Sequence, residues 1–250
     1  MLLLYGRIRL HSNYANSMDI DTRKEQLDQR INSAARRAGR DPSEIRLLAV
    51  SKTRSAFTIR TLASLGQKAF GENYLQEALD KIQQLADLEL EWHFIGQIQR
   101  NKTAAVAANF DWVQSIDRLI IAERLSAQRP TDKKAINVCI QVRMSQETGK
   151  GGVLPEDLLP LAEAINSLPG IVMRGLMAIP ENTTDPEKQK MAFREMYRLY
   201  SILKRQYDSV DTLSMGMSGD FGLAIAEGST MIRVGTALFG PRDYIKEKVK

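Results

Sequence analysis

The sequence predicts an α/β fold, a single (β/α)8 TIM barrel with an extra helix at its N-terminal end. About eight short apolar runs alternate strictly with amphipathic stretches, the order produced by parallel strands joined through right-handed crossover helices. No tight two-residue turn joins two of these runs, so antiparallel hairpins are not indicated. The alternative is an open doubly wound sheet, which is less favoured because no G-x-G-x-x-G motif follows the first run.

The extra N-terminal helix is predicted from apolar residues that recur at helical spacing within 22–40. These residues are Leu27, Ile31, Ala34, Ala35 and Ala38. Gly39 follows them as a typical helix stop. We assign residues 1–17 to a disordered N-terminal extension and residues 18–250 to the barrel domain. The apolar start of the extension is short and arginines follow it, so a secretory signal fits poorly and we expect a cytoplasmic protein.

The eight strands and the helices between them follow in order along the chain. The strands are predicted at 47–50, 68–71, 92–96, 112–116, 136–142, 172–179, 211–217 and 232–240. Helices are predicted between them at 56–65, 74–86, 102–108, 119–127, 155–167, 187–207 and 221–227. No low-complexity linker interrupts this alternation, and the polar segment 179–189 is interpreted as a loop that follows a strand. We therefore expect one domain.

Composition excludes several classes of function. The net charge is +5, but basic residues are scattered among acidic ones and no nucleic-acid motif appears, so we expect no nucleic-acid partner. No apolar stretch reaches the roughly 18 residues of a membrane helix, so we expect no membrane partner. The single cysteine, Cys139, lies in an apolar run and is interpreted as a buried strand residue. His11 and His93 are too far apart for a metal-ligand motif, so we expect no metal.

Polar residues follow the first two predicted strands. In a barrel of this kind the functional site lies at the C-terminal ends of the strands, where Lys52 and Asn73 fall. A lysine that is partly desolvated in a barrel mouth can act as a nucleophile and form an imine with an aldehyde. The alternative is a lysine that extends from a strand end to solvent, which is commoner without further context. Class I aldolases also use barrel lysines for imines, so this chemistry leaves the ligand open.

Small residues follow the last two predicted strands and indicate an anion site. Ser218 and Gly219 precede a predicted helix, and Gly235 with Thr236 repeats the arrangement. Glycine lets the backbone approach an oxyanion closely, hydroxyls add donors, and barrels often bind phosphate in the loops after strands 7 and 8. The alternative is that these residues only form turns.

Seven motifs, in order along the chain, together resemble one known family, and the match as a whole runs from about Met18 to about Tyr244. They are LLAVSKT (47–53), FGENYLQE (70–77), EWHFIGQIQRNK (91–102), SID (115–117), RGLMAI (174–179), SMGMSGD (214–220) and GSTMIRVGTALFGPRDY (228–244). In these motifs the chain closely resembles the pyridoxal-phosphate homeostasis protein family, single-domain barrels related to the N-terminal domain of alanine racemase.

The resemblance implies that pyridoxal 5'-phosphate is bound as a cofactor. Lys52 matches the lysine that forms the internal imine, and Arg233 matches the arginine that faces the pyridine nitrogen. Asn73 matches an asparagine that lines the cofactor site. The phosphate cradle is matched by Ser218, Gly235 and Thr236, with Gly219 beside it. His93 and Met177 fall in motifs near the cofactor ring, with core packing as the alternative. Lys150 matches a family lysine that could be a second attachment point, with an exposed loop lysine as the alternative.

The resemblance also implies a carrier without catalytic residues. A fixed cation opposite the ring nitrogen disfavours its protonation and weakens the ring as an electron sink. Alanine racemase takes a second base from a β-rich domain, which we expect to be absent here. We therefore expect a monomeric carrier or buffer that stores the aldehyde reversibly on Lys52 and releases it to apo-enzymes that need pyridoxal phosphate. The alternatives are a weak racemase-like enzyme that uses Lys52 as a base, and a binding module that only senses the cofactor.

Overall fold

Eight parallel strands close into a barrel in which each strand pairs with its neighbours in chain order. The structure is a computed structural model and describes residues 14–144, 151–180, 183 and 185–241. The strands are β1 (Arg46–Val50), β2 (Ala69–Glu72), β3 (Glu91–Phe94), β4 (Trp112–Ile116), β5 (Ile136–Val142), β6 (Ile171–Ala178), β7 (Thr212–Ser214) and β8 (Met231–Val234). The barrel closes where β8 pairs with β1, with Val234 opposite Ala49.

Helices follow the strands around the outside of the barrel. In the described part of the chain they are α1 (Tyr14–Arg37), α2 (Ala56–Ser64), α3 (Leu75–Gln84), α4 (Thr103–Asn109), α5 (Leu119–Gln128), α6 (Leu158–Asn166), α7 (Pro186–Gln206), α8 (Phe221–Ala226) and α9 (Thr236–Phe239). The predicted (β/α)8 barrel is confirmed, and the open-sheet alternative is wrong. Across the ranges that the structure covers, no helix is both long and apolar enough to cross a bilayer.

The end of the last strand is the main difference from the predicted elements. The prediction extended this strand through 232–240, but β8 ends at Val234 and the short helix α9 follows. Leu238 and Phe239 are buried in α9, so the run remains apolar although the chain has turned into a helix. An apolar run of this length does not distinguish a strand from a buried helical turn. The strand predicted at 211–217 is likewise shorter, because β7 covers Thr212–Ser214.

The predicted N-terminal helix packs against the end of the barrel chain. Leu27, Ile31 and Ala35 are buried on one face of α1, which contacts α8 and α9. The helix begins at Tyr14, four residues before the predicted start of the folded domain at 18. The rest of the predicted extension, 1–13, lies outside the described residues, as does Lys150.

The apolar core is divided between the outside and the inside of the barrel. A large cluster combines residues of strands and helices, among them Phe70, Leu125 and Phe193. Two small clusters contain residues of strands and strand ends alone, and these lie inside the barrel: Leu48, Ala69, Met231 and the adjoining Ile95 in one, and Trp112, Cys139 and Met177 in the other. The barrel interior is therefore packed with side chains.

Cys139 is expected to resist thiol reagents in the folded protein. It is fully buried, and burial raises the pKa of its thiol to about 12. Because the thiolate is the reactive form, we expect labelling at pH 8 to be at least about a thousandfold slower than in guanidinium chloride. The single cysteine makes the absorbance signal of a disulfide reagent unambiguous. Rapid labelling of the folded protein would contradict this packing of the barrel interior.

Candidate functional site

All seven sequence-predicted site residues line one cavity at the C-terminal ends of the strands. The cavity has a volume of 280 Å³. The predicted residues in its wall are Lys52, Asn73, Ser218, Gly219, Arg233, Gly235 and Thr236. The rest of the described wall is apolar and consists of Val50, Ile95, Met177, Ile179 and Met217. The structure therefore brings residues that are up to 184 positions apart in the chain, from Lys52 to Thr236, to one concave surface.

Lys52 is half-buried in the turn that follows β1. The turn is held from behind by α3, because Lys81 Nζ donates to the Ser51 carbonyl oxygen at 2.8 Å and the Thr53 amide donates to Glu77 Oε1. Thr53 has a φ of 63°, a left-handed conformation that a β-branched residue seldom adopts. The backbone on both sides of Lys52 is thus fixed by contacts of its neighbours.

A buried ionic cluster supports this turn. Lys81 Nζ lies 2.7 Å from Glu72 Oε1 and 2.5 Å from Glu77 Oε1, and its side chain is 6% exposed. The Ser51 hydroxyl donates to Glu72 Oε1 at 2.6 Å. Burial raises the pKa of Glu72, and the charge and hydrogen bond of Lys81 oppose that rise. A buried charge is stable only when it is paired, so Lys81, Glu72 and Glu77 must stay together. Because they also bond to Ser51 and Thr53, they fix the position of the Lys52 turn.

Asn73 enters the cavity wall from the end of β2, where Gly96 packs against its backbone. A Cβ atom at Gly96 would lie 2.1 Å from the Asn73 carbonyl oxygen, so this close approach requires glycine. The Ser115 hydroxyl donates to the Gly96 carbonyl oxygen at 2.5 Å and so ties the segment after β3 to β4. Asn73 Oδ1 is buried and accepts no hydrogen bond from any described residue. It is therefore an acceptor available to a ligand.

Small and hydroxyl-bearing residues form the opposite wall, in the loops after β7 and β8. The Ser218 hydroxyl accepts a hydrogen bond from the Ala237 amide at 3.2 Å, which joins the two loops. A Cβ atom at Gly219 would meet nothing within 4 Å, so Gly219 faces open space. A Cβ atom at Gly235 would lie 3.4 Å from the Val50 carbonyl oxygen, which is an ordinary van der Waals contact. The absence of side chains here leaves the backbone and the hydroxyls of Ser218 and Thr236 open to the cavity.

Arg233 brings a positive charge to the floor of the cavity. It is 4% exposed, and its guanidinium donates to the Ser214 carbonyl and hydroxyl oxygens and to the Ala178 carbonyl oxygen at 2.7–2.9 Å. No carboxylate of the described chain forms an ion pair with it. Burial lowers the pKa of Arg233 to about 10, so it remains protonated at neutral pH. An unpaired buried cation beside a cavity favours an electron-rich or anionic ligand.

Two further residues that the sequence associates with the site take different places. Met177 lines the cavity, as its motif suggested. His93 is fully buried and is not among the residues that line the cavity. Its ring stacks on Trp112 with the centroids 5.1 Å apart.

The supporting residues, and the apolar wall apart from Met177, were missed by sequence analysis. Glu72 and Glu77 lie in a motif that was recognised, but their pairing with Lys81 depends on how α3 packs. Single apolar residues at strand ends, such as Val50 and Ile95, carry no chemical signal that separates cavity wall from core. The spacing of Glu77 and Lys81, four residues apart on a predicted helix, is the one available hint.

Replacing Lys81 by methionine is expected to destabilise the protein strongly. The change leaves Glu72 and Glu77 beside the Lys52 turn without their cation, and loss of one partner of a buried ion pair costs about 3 kcal/mol or more. The free energy of unfolding from urea titration measures the loss. Arg60→Met is the matched control, because it removes a pair to Asp87 on the exposed surface and should leave stability close to wild type. Equal losses in both variants would contradict a supporting role for Lys81.

Comparisons with known proteins agree on one family. The alanine racemase N-terminal domain family matches residues 23–243. A pyridoxal phosphate homeostasis protein of Pseudomonas aeruginosa is 55% identical over 215 residues, which cover 86% of this chain and 92% of that protein. The structure of an unknown protein from Bifidobacterium adolescentis is 32% identical with a TM-score of 0.84, and covers 91% of this chain and 97% of its own.

A third relative carries a ligand. The structure of PipY from Synechococcus elongatus PCC7942 with PLP bound is 36% identical, with a TM-score of 0.76, and covers 88% of this chain and all of its own. The match of the family over most of the chain agrees with the barrel described above. By these similarities of sequence and fold, the chain belongs to the pyridoxal phosphate homeostasis protein family, whose barrel is that of the alanine racemase N-terminal domain.

Proposed function

We propose that this protein binds pyridoxal phosphate in the strand-end cavity through Lys52 and acts in the cytoplasm as a monomeric carrier or buffer of it. The observation that carries the proposal is the composition of the described cavity wall. It combines one amine, one unpaired guanidinium, a hydroxyl-lined loop pair and an amide oxygen without a partner. A relative with 36% identity has been solved with PLP bound, which supports the same ligand here.

The residues of the cavity fit the three polar ends of this ligand. Ser218 and Thr236 can donate hydroxyl hydrogen bonds to a phosphate, and Gly219 with Gly235 leaves room for its oxygens. Arg233 has only donors, so it can hydrogen-bond the lone pair of a pyridine nitrogen. Lys52 presents a primary amine in the same wall. Pyridoxal phosphate would supply an aldehyde, and the Lys52 amine could hold it through a C–N double bond whose formation releases one water and whose hydrolysis consumes one.

The protein residues restrain further chemistry. The positive charge of Arg233 disfavours a proton on a ring nitrogen beside it, and an unprotonated ring is a weaker electron sink. In the described wall Lys52 is the single group that can act as a base, since no carboxylate, imidazole, thiol or phenol lines the cavity there. Inversion at a carbon centre uses a base on each face. These features favour storage of the aldehyde over turnover of an amino acid.

Lys52→Ala is expected to abolish covalent attachment. Pyridoxal phosphate added to the wild-type protein should give an imine absorption band, and borohydride followed by peptide mass mapping should place the reduced ligand on Lys52. The variant should show neither. Lys102→Ala is the control, because Lys102 lies at the start of α4 and does not line the cavity. A label on a different lysine, or no band with the wild-type protein, would overturn the proposed attachment.

The loaded protein is expected to reactivate a pyridoxal-phosphate-dependent apo-enzyme without itself converting amino acids. Reactivation of an apo-transaminase is measured after free ligand has been removed, with Lys52→Ala carried through the same loading as the control. Chiral inversion of single L-amino acids is assayed in parallel. Failure to reactivate would count against delivery and favour a ligand sensor. Sustained inversion would replace the carrier by a racemase-like enzyme.

A further inference from the structure

A chain of polar side chains crosses the barrel interior beneath the cavity. Arg233 Nη1 lies 2.9 Å from Ser214 Oγ, and Ser214 Oγ lies 2.7 Å from Gln114 Oε1. Gln114 Nε2 lies 2.8 Å from His93 Nδ1, and His93 Nε2 is hydrogen-bonded to Glu91 Oε1. These five residues come from β8, β7, β4 and β3, so the series passes from one side of the barrel to the other.

The chain joins the two mouths of the barrel. Arg233 lines the cavity at the C-terminal ends of the strands, whereas Glu91 is the first residue of β3 and pairs with Arg46 at 2.5 Å at the opposite end. The three residues between them, His93, Gln114 and Ser214, are fully buried. Burying polar groups costs free energy unless each is hydrogen-bonded, and apolar side chains would fill the same space without that requirement. A role beyond packing would account for a continuous polar series here.

The two end groups determine the direction of every hydrogen bond. A guanidinium can only donate and an ionised carboxylate can only accept. Ser214 Oγ therefore accepts from Arg233, which leaves its proton for Gln114 Oε1. The Gln114 amide then donates to His93 Nδ1, and the remaining ring proton of His93 donates to Glu91. All the donors point away from Arg233 and towards Glu91.

Neighbouring contacts keep this direction. Gln114 Nε2 also lies 3.2 Å from Met231 Sδ, and the His93 ring is stacked on Trp112. Burial alone would raise the pKa of Glu91, but the hydrogen bond from His93 and the contact with Arg46 lower it, which favours an ionised carboxylate. Burial lowers the pKa of His93 against the opposing effect of Glu91, which favours a neutral ring.

We propose that Ser214, Gln114 and His93 are positioning residues that form an oriented hydrogen-bond relay. The relay holds Arg233 towards the cavity. It also links the positive charge of Arg233 to the negative charge of the Glu91 carboxylate at the opposite mouth, which compensates it. Aligned hydrogen bonds polarise one another, so the relay stabilises the guanidinium although no described carboxylate touches it. The relay itself is a property of the protein alone. Its effect on pyridoxal phosphate rests on the proposed function.

The tautomer of His93 tests the relay without any ligand. The chain has two histidines, so a His11→Asn variant leaves one set of imidazole signals in a 15N NMR spectrum. We expect a neutral ring protonated at Nε2 at pH 7. In Gln114→Glu on the same background, a second carboxylate faces Nδ1, and we expect a ring protonated on both nitrogens. A ring protonated at Nδ1, or an unchanged ring in Gln114→Glu, would overturn the relay.

Ligand binding tests its effect on Arg233. Gln114→Leu interrupts the relay inside the barrel, and Glu91→Gln keeps the shape but removes the terminal charge without contact with the cavity. We expect about tenfold weaker binding of pyridoxal phosphate and a changed imine band in Gln114→Leu, and a smaller change in the same direction in Glu91→Gln. Asp211→Asn is the matched control: it removes a carboxylate that pairs with Arg174 just before β7, off the relay, and should bind as the wild type does.

The outcomes separate the two proposals. Folded Gln114→Leu and Glu91→Gln proteins with wild-type affinity and spectrum would refute the relay and leave the carrier function standing. If the wild-type protein gives no imine band, the proposed function fails, and the NMR experiment still decides whether the relay exists. If Gln114→Leu does not fold, Glu91→Gln still tests the relay. The Glu91 side chain is 29% exposed at the mouth of the barrel, so its replacement should disturb folding less than a change in the barrel interior.

Discussion

The pairing of β8 with β1 is the constraint on which the site depends. It sets Val234 opposite Ala49, so the turn after β1 and the loop after β8 leave the barrel side by side. Lys52 and Thr236 thereby line the same cavity, and Gly235 packs beside Val50. Closure of a parallel barrel brings all its strand ends to one rim, which is why residues far apart in sequence can act on one ligand.

Two buried cations shape this rim in different ways. Lys81 lies outside the barrel wall and is neutralised by Glu72 and Glu77, and it holds the Lys52 turn in place. Arg233 lies inside, is held by carbonyl and hydroxyl oxygens, and keeps its charge available to the cavity. A buried charge persists only where its surroundings are tightly arranged. The site therefore combines a rigid support for the amine with a fixed positive charge on the cavity floor.

Much of the fold could be predicted because the alternation of apolar runs and amphipathic stretches is a local signal. Lys52 and Asn73 could be predicted to lie at the strand ends, since each is the second residue after a predicted strand. The helix α9 could not be separated from β8, because Leu238 and Phe239 are as apolar as strand residues. The relay residues Gln114 and Ser214 could not be connected, since they are 100 positions apart and meet only across the closed barrel.

The sequence by itself determined the barrel class, the amine and the small-residue loops, because each depends on the order of residues along one segment. It also carried the motifs of the family. Only the tertiary structure decided that Arg233 has no carboxylate partner in the described chain, that Lys81 supports the Lys52 turn, and that His93 belongs to the barrel interior. Those facts depend on which side chains meet across a closed sheet, and that is set by register and packing between strands that are distant in the chain.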